Sequence, residues 1–155
     1  MGRVGDVPVN VDAVGRVYGP HEPYEVTRVK IREFAEAVDA RSFAHVNVEA
    51  ARAEGYDDLV APTTFAVIIA QRAEFHVVVD PEVGVDFTRV VHADERFTHH
   101  RPIVAGDVIS TTVHIDKITP PRAGISMVTT RAELTDADDN PVATVISTLA
   151  VREEA

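Results

Sequence analysis

The stretch VDARSFAHVN, residues 38–47, sets an aspartate, a serine and a histidine close together in the chain. Imidazole is the side chain most often used to take and return protons near neutral pH, and carboxylates do the same work when suitably placed. His45 and Asp39 are therefore the first candidates for acid–base chemistry. Each also has an ordinary structural use. His45 can simply bond a backbone carbonyl in a loop, and Asp39, just after a helix, can cap turn amides. Both uses stand at the level of sequence.

Three further histidines, His92, His99 and His100, fall in a stretch that reads as a strand. Adjacent strand residues point to opposite faces, so His99 and His100 do not both reach one ion, and their spacing with His92 matches no metal signature. No metal site is expected. Asp94 and Glu95 read as strand polarity near a helix. The 155 residues include no cysteine, which removes disulfides, thiolate chemistry and cysteine-bound metals. A formal net charge of −10 argues against nucleic acid or anionic lipid as a partner. It suits a small-molecule substrate or a protein with a basic face. The N-terminal MGRVGDVPVNVDAVG has no apolar core of signal length, and FAVIIA is too short to span a bilayer, so a cytoplasmic protein is expected.

These candidates need elements to hold them. Residues 1–23, rich in Gly, Pro and Val, read as an extended arm over the fold. Val29, Phe34, Ala37 and Val38 recur at roughly helical spacing behind Thr27, a suitable N-cap, which predicts a helix over 27–38. Asn47 is placed to cap a short helix that stops at Gly55. Pro62 fits the first turn of a longer helix, whose run Phe65–Ala70 is apolar almost all round. Such a helix is expected to be wrapped on most sides.

After Pro81 the period changes. FTRVVHADERFTHH, DVISTTVHIDKI, GISMVTTRAELTDA and PVATVISTLAVRE alternate, with turn signals RPIVAGD, TPPRAG and DADDNP between them. They predict four long antiparallel strands, and a strand near 16–26 would add a fifth. In RPIVAGD, Gly106 is expected to set entry into a strand and Asp107 to bond within the turn. The whole predicts one α+β domain over residues 1–155. Its curled antiparallel sheet would wrap a long central helix in the hot-dog arrangement. Open sheet edges make pairing with a second subunit the expectation.

EVTRVKIREFAEAV, GYDDLVAPTTF, HADERF, RPIVAGD and VISTLAVR, taken in order, closely resemble an actinobacterial group of hot-dog proteins. The group includes the HadA-type subunit of the mycobacterial (3R)-hydroxyacyl-ACP dehydratase. It lies within the MaoC-like, or R-specific enoyl hydratase, superfamily. The resemblance implies water addition to an enoyl thioester, or its reverse. Catalytic members carry an Asp-x-Asn-Pro-x-His loop, whose carboxylate and imidazole hold one water between them. A backbone N–H at the start of the central helix polarises the thioester carbonyl.

Carried onto this chain, the histidine falls on His45, the aspartate on Ala40, the asparagine on Ser42, the proline on Phe43 and the N–H donor on Thr63. Asp39 lies one position before the family's acid. His45 and Asp39 are thus the implied catalytic candidates, and Thr63 and Ser42 the implied substrate contacts. The HadA-type subunit also departs from the motif and works beside a partner that holds both catalytic residues. The expectation is an enoyl hydratase or hydroxyacyl dehydratase with weak activity of its own, in a homodimer or heterodimer. It would take acyl-CoA or acyl-ACP and need no cofactor. A non-catalytic acyl-binding subunit is the alternative. A thioesterase fits less well, because the central helix has no carboxylate before Glu74.

Overall fold

The computed structural model describes residues 8–153. Expectations for the chain before residue 8 lie outside the described residues. A short 3-10 turn, Val11–Ala13, is capped by Asn10, whose side chain accepts from Asp12 N at 3.0 Å. Two short strands follow, β1 (Val17–Tyr18) and β2 (Tyr24–Glu25), both paired with the strand that begins at Val108. The single strand expected near 16–26 is therefore broken. Gly19, at φ +100, turns the chain where a Cβ would sit 2.7 Å from Thr111 O, and Pro20 has no N–H for the ladder.

Helix α1 (Arg28–Ala37) starts where the cap predicts, with Thr27 Oγ1 accepting from Lys30 N at 3.2 Å. Ile31 and Ala35 form its buried face. Arg28 grips Asp58 through bonds of 2.9 and 2.7 Å, tying α1 to the segment before the central helix. That guanidinium, by its hydrogen bonds first, brings the Asp58 carboxyl down to about 2. Helix α2 (Val48–Ala53) is capped by Asn47, which accepts from Ala50 N at 2.9 Å.

The central helix α3 (Ala66–Val78) follows a 3-10 turn, Thr63–Phe65, that Pro62 leads into. Ala66, Ile69, Ala70, Ala73, Glu74 and Val77 are buried at helical spacing against the sheet. Within one chain the helix is wrapped on one side only: Gln71, Arg72, Phe75, His76 and Val79 are exposed.

Strand β3 is Val90–His99, β4 is Val108–Arg122, β5 is Ile125–Thr135 and β6 is Pro141–Arg152. The sheet is antiparallel, in the order β1-β4-β5-β6-β3, with β2 also on β4. Residues 87–89, expected to extend β3, form a 3-10 turn that Asp86 caps by accepting from Thr88 N at 3.0 Å. Val113 and Ile115 of β4, Val128 and Ala132 of β5, and Val145 and Val151 of β6 are buried against the helix. The register slips between Ile115 and Lys117 and between His92 and Asp94. Such bulges bend and twist a strand, which lets the sheet curl. No helix among the described residues is long and apolar enough to cross a membrane.

Candidate active site

The site is assembled by the loop after α1, the start of α3 and the far end of β3. The loop turns at Asp39, whose φ is 53°, a left-handed backbone that aspartate tolerates better than most residues. The Asp39 carboxylate accepts from Arg41 Nη2 at 2.8 Å and from its Nε at 3.1 Å, and its side chain is 74 % exposed. Ser42 then caps a 3-10 turn, Phe43–His45, by accepting from Ala44 N at 3.3 Å. That turn presents His45.

His45 Nδ1 lies 2.7 Å from Val60 O. A carbonyl only accepts, so Nδ1 carries the proton and donates it, leaving Nε2 as the free acceptor. A second bond, from Val60 N to Ala44 O at 3.1 Å, ties the loop to the same residue. On the other side of this segment, Ala61 N donates to Ile103 O at 2.8 Å and Ala105 N donates to Leu59 O at 2.9 Å. The RPIVAGD turn therefore braces the approach to the central helix. Gly106 has φ +98, and Asp107 bonds within the turn as expected, accepting from Val104 N at 2.9 Å and from Arg101 at 2.8 and 3.1 Å.

Thr63 opens the helical turn ahead of α3, so its N–H has no intrahelical acceptor, and the helix dipole favours negative charge there. His99 Nε2 donates to Thr63 O at 2.7 Å from the end of β3. A cavity of about 540 Å³ lies between these parts, lined by Ala40, Ser42, His45, Thr63, His99 and Arg101 among others. That size is ordinary for a small-molecule site.

Of the residues singled out in the sequence, His45, Ser42 and Thr63 meet at this cavity, with Ala40 beside them. Asp39 is not among its lining residues, and its carboxylate is engaged by Arg41 on the surface. His99, which the sequence shows as half of an adjacent histidine pair, also borders the cavity. Its position just before RPIVAGD, at a strand end, was the available signal. No group of three or more His, Cys, Asp or Glu among the described residues is arranged to hold a metal ion.

Asp94 and Glu95, both polar residues of β3, differ in their surroundings. Asp94 is a surface residue paired with Arg96 at 2.9 Å, but Glu95 is half-buried and accepts from Ser147 Oγ at 3.0 Å. Its carboxylate also contacts the His92 ring.

Comparison with known proteins places this geometry in a family. Residues 12–145 match the family described as FAS1-like, dehydratase domain region. The UPF0336 protein of Saccharopolyspora erythraea is 49 % identical over 146 residues, which cover 94 % of this chain and 93 % of that one. The C-terminally truncated HadBC (3R-hydroxyacyl-ACP dehydratase) complex from Mycobacterium tuberculosis contains a chain that superposes with a TM-score of 0.81 at 32 % identity, covering 93 % of this chain and 99 % of that one. A protein described as a MaoC-like dehydratase gives 0.83 at 33 % identity, covering 91 % of this chain and 42 % of its own. The central helix, the curled sheet and the histidine loop thus have one common explanation: the chain belongs to the FAS1-like dehydratase domain region family and has the hot-dog fold of the MaoC-like dehydratases.

Proposed function

We propose that this protein acts on acyl thioesters as a hydro-lyase, adding water to an enoyl thioester or removing it from a (3R)-hydroxyacyl thioester. It does so as one member of a dimer of hot-dog subunits. The observation that carries this reading is the state of His45. With Nδ1–H held by Val60 O at 2.7 Å, Nε2 is the ring atom left to accept a proton, in a cavity shared with the start of the central helix.

In this reading the thioester carbonyl rests against the Thr63 N–H, and the helix dipole stabilises the charge that develops on its oxygen. His45 Nε2 takes a proton from water as the water oxygen adds to C3. The Ser42 hydroxyl contacts the substrate at the rim. The carrier, CoA or acyl carrier protein, is the substrate's handle, and no cofactor is called for. The name of the mycobacterial complex, a 3R-hydroxyacyl-ACP dehydratase, supports both the thioester substrate and a second hot-dog subunit, homologous or identical. The setting would be fatty acyl metabolism in the cytoplasm. Because Ala40 stands where catalytic relatives have aspartate, the chain alone is expected to be a weak enzyme.

Ala40 also favours a second reading, an acyl-chain-binding subunit that has lost its chemistry. One assay separates the two: hydration of crotonyl-CoA and of long-chain enoyl-CoA, with and without a co-expressed hot-dog partner. Turnover that requires His45 supports the hydro-lyase. Binding of acyl thioesters with no turnover in either arrangement supports the binding subunit.

A further inference from the structure

Hydration needs one group to take a proton from water and a group to deliver a proton to C2. Ala40 has no side chain to do the second task. We propose that His99 does it, as the second acid–base residue of this site; the assignment rests on the hydro-lyase reading above.

The segment from Val60 to Thr63 is gripped by two imidazoles. His45 donates to Val60 O and His99 donates to Thr63 O, each at 2.7 Å. Three residues of extended chain span at most about 10 Å, so the two rings flank one short stretch of cavity wall. Both line that cavity. His99 Nε2 faces a carbonyl and is therefore a donor, which leaves Nδ1 with no hydrogen-bond partner among the described residues. The ring lies nearly parallel to that of Phe97, with centroids 6.4 Å apart and 13° between planes, so its orientation is set by the strand below it.

The other groups at the cavity are less suited. His100 Nε2 is 3.1 Å from Thr144 Oγ1, whose hydroxyl donates to Glu133 at 2.7 Å, so that ring is held toward β5 and β6 rather than toward the Val60–Thr63 segment. Arg101 is held by Asp107 and does not cycle a proton near neutrality. Glu54 and Tyr56 border the same space, Glu54 from the exposed end of α2.

In the proposed step, water loses a proton to His45 Nε2 as its oxygen bonds C3. The electron pair of the C2=C3 bond moves toward the thioester carbonyl, whose oxygen lies against the Thr63 N–H. The enolate then takes a proton at C2 from Nδ1–H of the His99 imidazolium, and the carbonyl re-forms. Afterwards His45 releases the proton it took and His99 regains the one it gave, through solvent. The sum is addition of one water, and no further reactant is needed.

The test compares wild type, His45→Ala and His99→Gln in crotonyl-CoA hydration, all in the same assembly state. Glutamine keeps an N–H near the place of Nε2, so the bond to Thr63 O persists while acid–base function is lost. The expected result is a fall in kcat of about 10²-fold or more with KM little changed. A His99 that only props the helix start predicts near wild-type kcat in His99→Gln, and that result overturns the inference.

A second readout avoids turnover. Binding of butyryl-CoA, a saturated analogue, should shift the imidazole NMR signals of both His45 and His99. A shift at His45 with none at His99 overturns the inference even where His99→Gln is unstable. Turnover that needs His45 but ignores His99 overturns this inference alone. Absence of turnover in every arrangement, with no butyryl-CoA shift at either ring, overturns the hydro-lyase reading and the inference with it.

Discussion

Thr130 Oγ1 donates a 3.0 Å hydrogen bond to Glu74 Oε1 in the interior, where α3 crosses the sheet. Glu74 is only 7 % exposed. Burial pushes its carboxyl above the ordinary glutamate range; Ser147 and Thr130 pull it partly back, and nearby Glu95 pushes it further. Glu95, on β3, is itself raised, again chiefly by burial. The native state thus holds the Glu74 proton more tightly than the unfolded chain does. Its contribution is complete below the unfolded value and is lost as pH rises through the folded one. Glu74→Gln mimics the protonated form and still accepts from Thr130. The melting temperature of the variant minus that of wild type should therefore climb as pH rises above the ordinary glutamate range. A difference that stays flat would show that Glu74 does not change state in that range.

Gly106 has φ +98, and a Cβ built there meets nothing within 4 Å. Any cost of substitution is thus conformational rather than steric. Gly106→Ala and Gly106→Val should both destabilise by about 1–3 kcal/mol. For a chain of this size that lowers the melting point by roughly 2–4 °C per kcal/mol. Unchanged melting in both variants would mean that the turn relaxes to another backbone. Because this turn braces the Leu59–Ala61 segment, weaker acyl-CoA binding should accompany the loss of stability.

Ala40 borders the cavity with His45, so an aspartate introduced there starts from the right neighbourhood. Ala40→Asp should raise enoyl-CoA hydration, by less than the roughly 10²–10⁴-fold that a positioned acid–base group contributes where none is present, because His99 already serves as a second such group. Adding His45→Ala should abolish the gain. Asp39→Ala should leave kcat within about twofold, because that carboxylate is bound by Arg41 outside the cavity. High wild-type activity that disappears in Asp39→Ala would require the loop to rearrange in the assembly, and would count against the site as drawn.

Phe75, Val79, Phe87 and Val91 are each more than half exposed, on the outer face of α3 and around the β3 edge. The rings of Phe75 and Phe87 meet edge to face, with centroids 6.4 Å apart, so together they form one apolar patch. Beside it, among the described residues, β3 pairs on one side only, with β6. Patches and open edges of this kind are usually covered. The purified chain should sediment as a dimer or larger at micromolar concentration, and Phe75→Glu with Val91→Glu should shift it toward monomer. A wild-type chain that sediments as a monomer would overturn that expectation.

Much of the candidate site was legible in the linear chain. His45 and Ser42 could be found because the loop motif is compact and its neighbours share a single turn. Asp39 was harder to place. Whether an acid one position early reaches the cavity depends on the backbone there, and the left-handed turn at φ 53 leaves it with Arg41 at the surface. For His99 the local sequence gives no sign of the contact with Thr63, a residue distant along the chain. Glu95 reads in the sequence as strand polarity near a helix, and nothing local reveals that Ser147 and His92 meet it.

The sequence by itself determined what short-range physics controls. The Thr27 and Asn47 caps, the alternation of β4 to β6 and the positive φ at Gly106 each depend on a residue and its near neighbours. Only the tertiary structure decided which proton-carrying groups face each other. The tautomer of His45 is set by Val60 O, the contact of His99 by where β3 ends beside the helix start, and the titration of Glu74 by its burial under the sheet. The β3 register, with its slip between His92 and Asp94, and the curl of the sheet govern those meetings. They follow from packing across the whole domain, because hydrogen bonding and desolvation depend on distance in space rather than on separation along the chain.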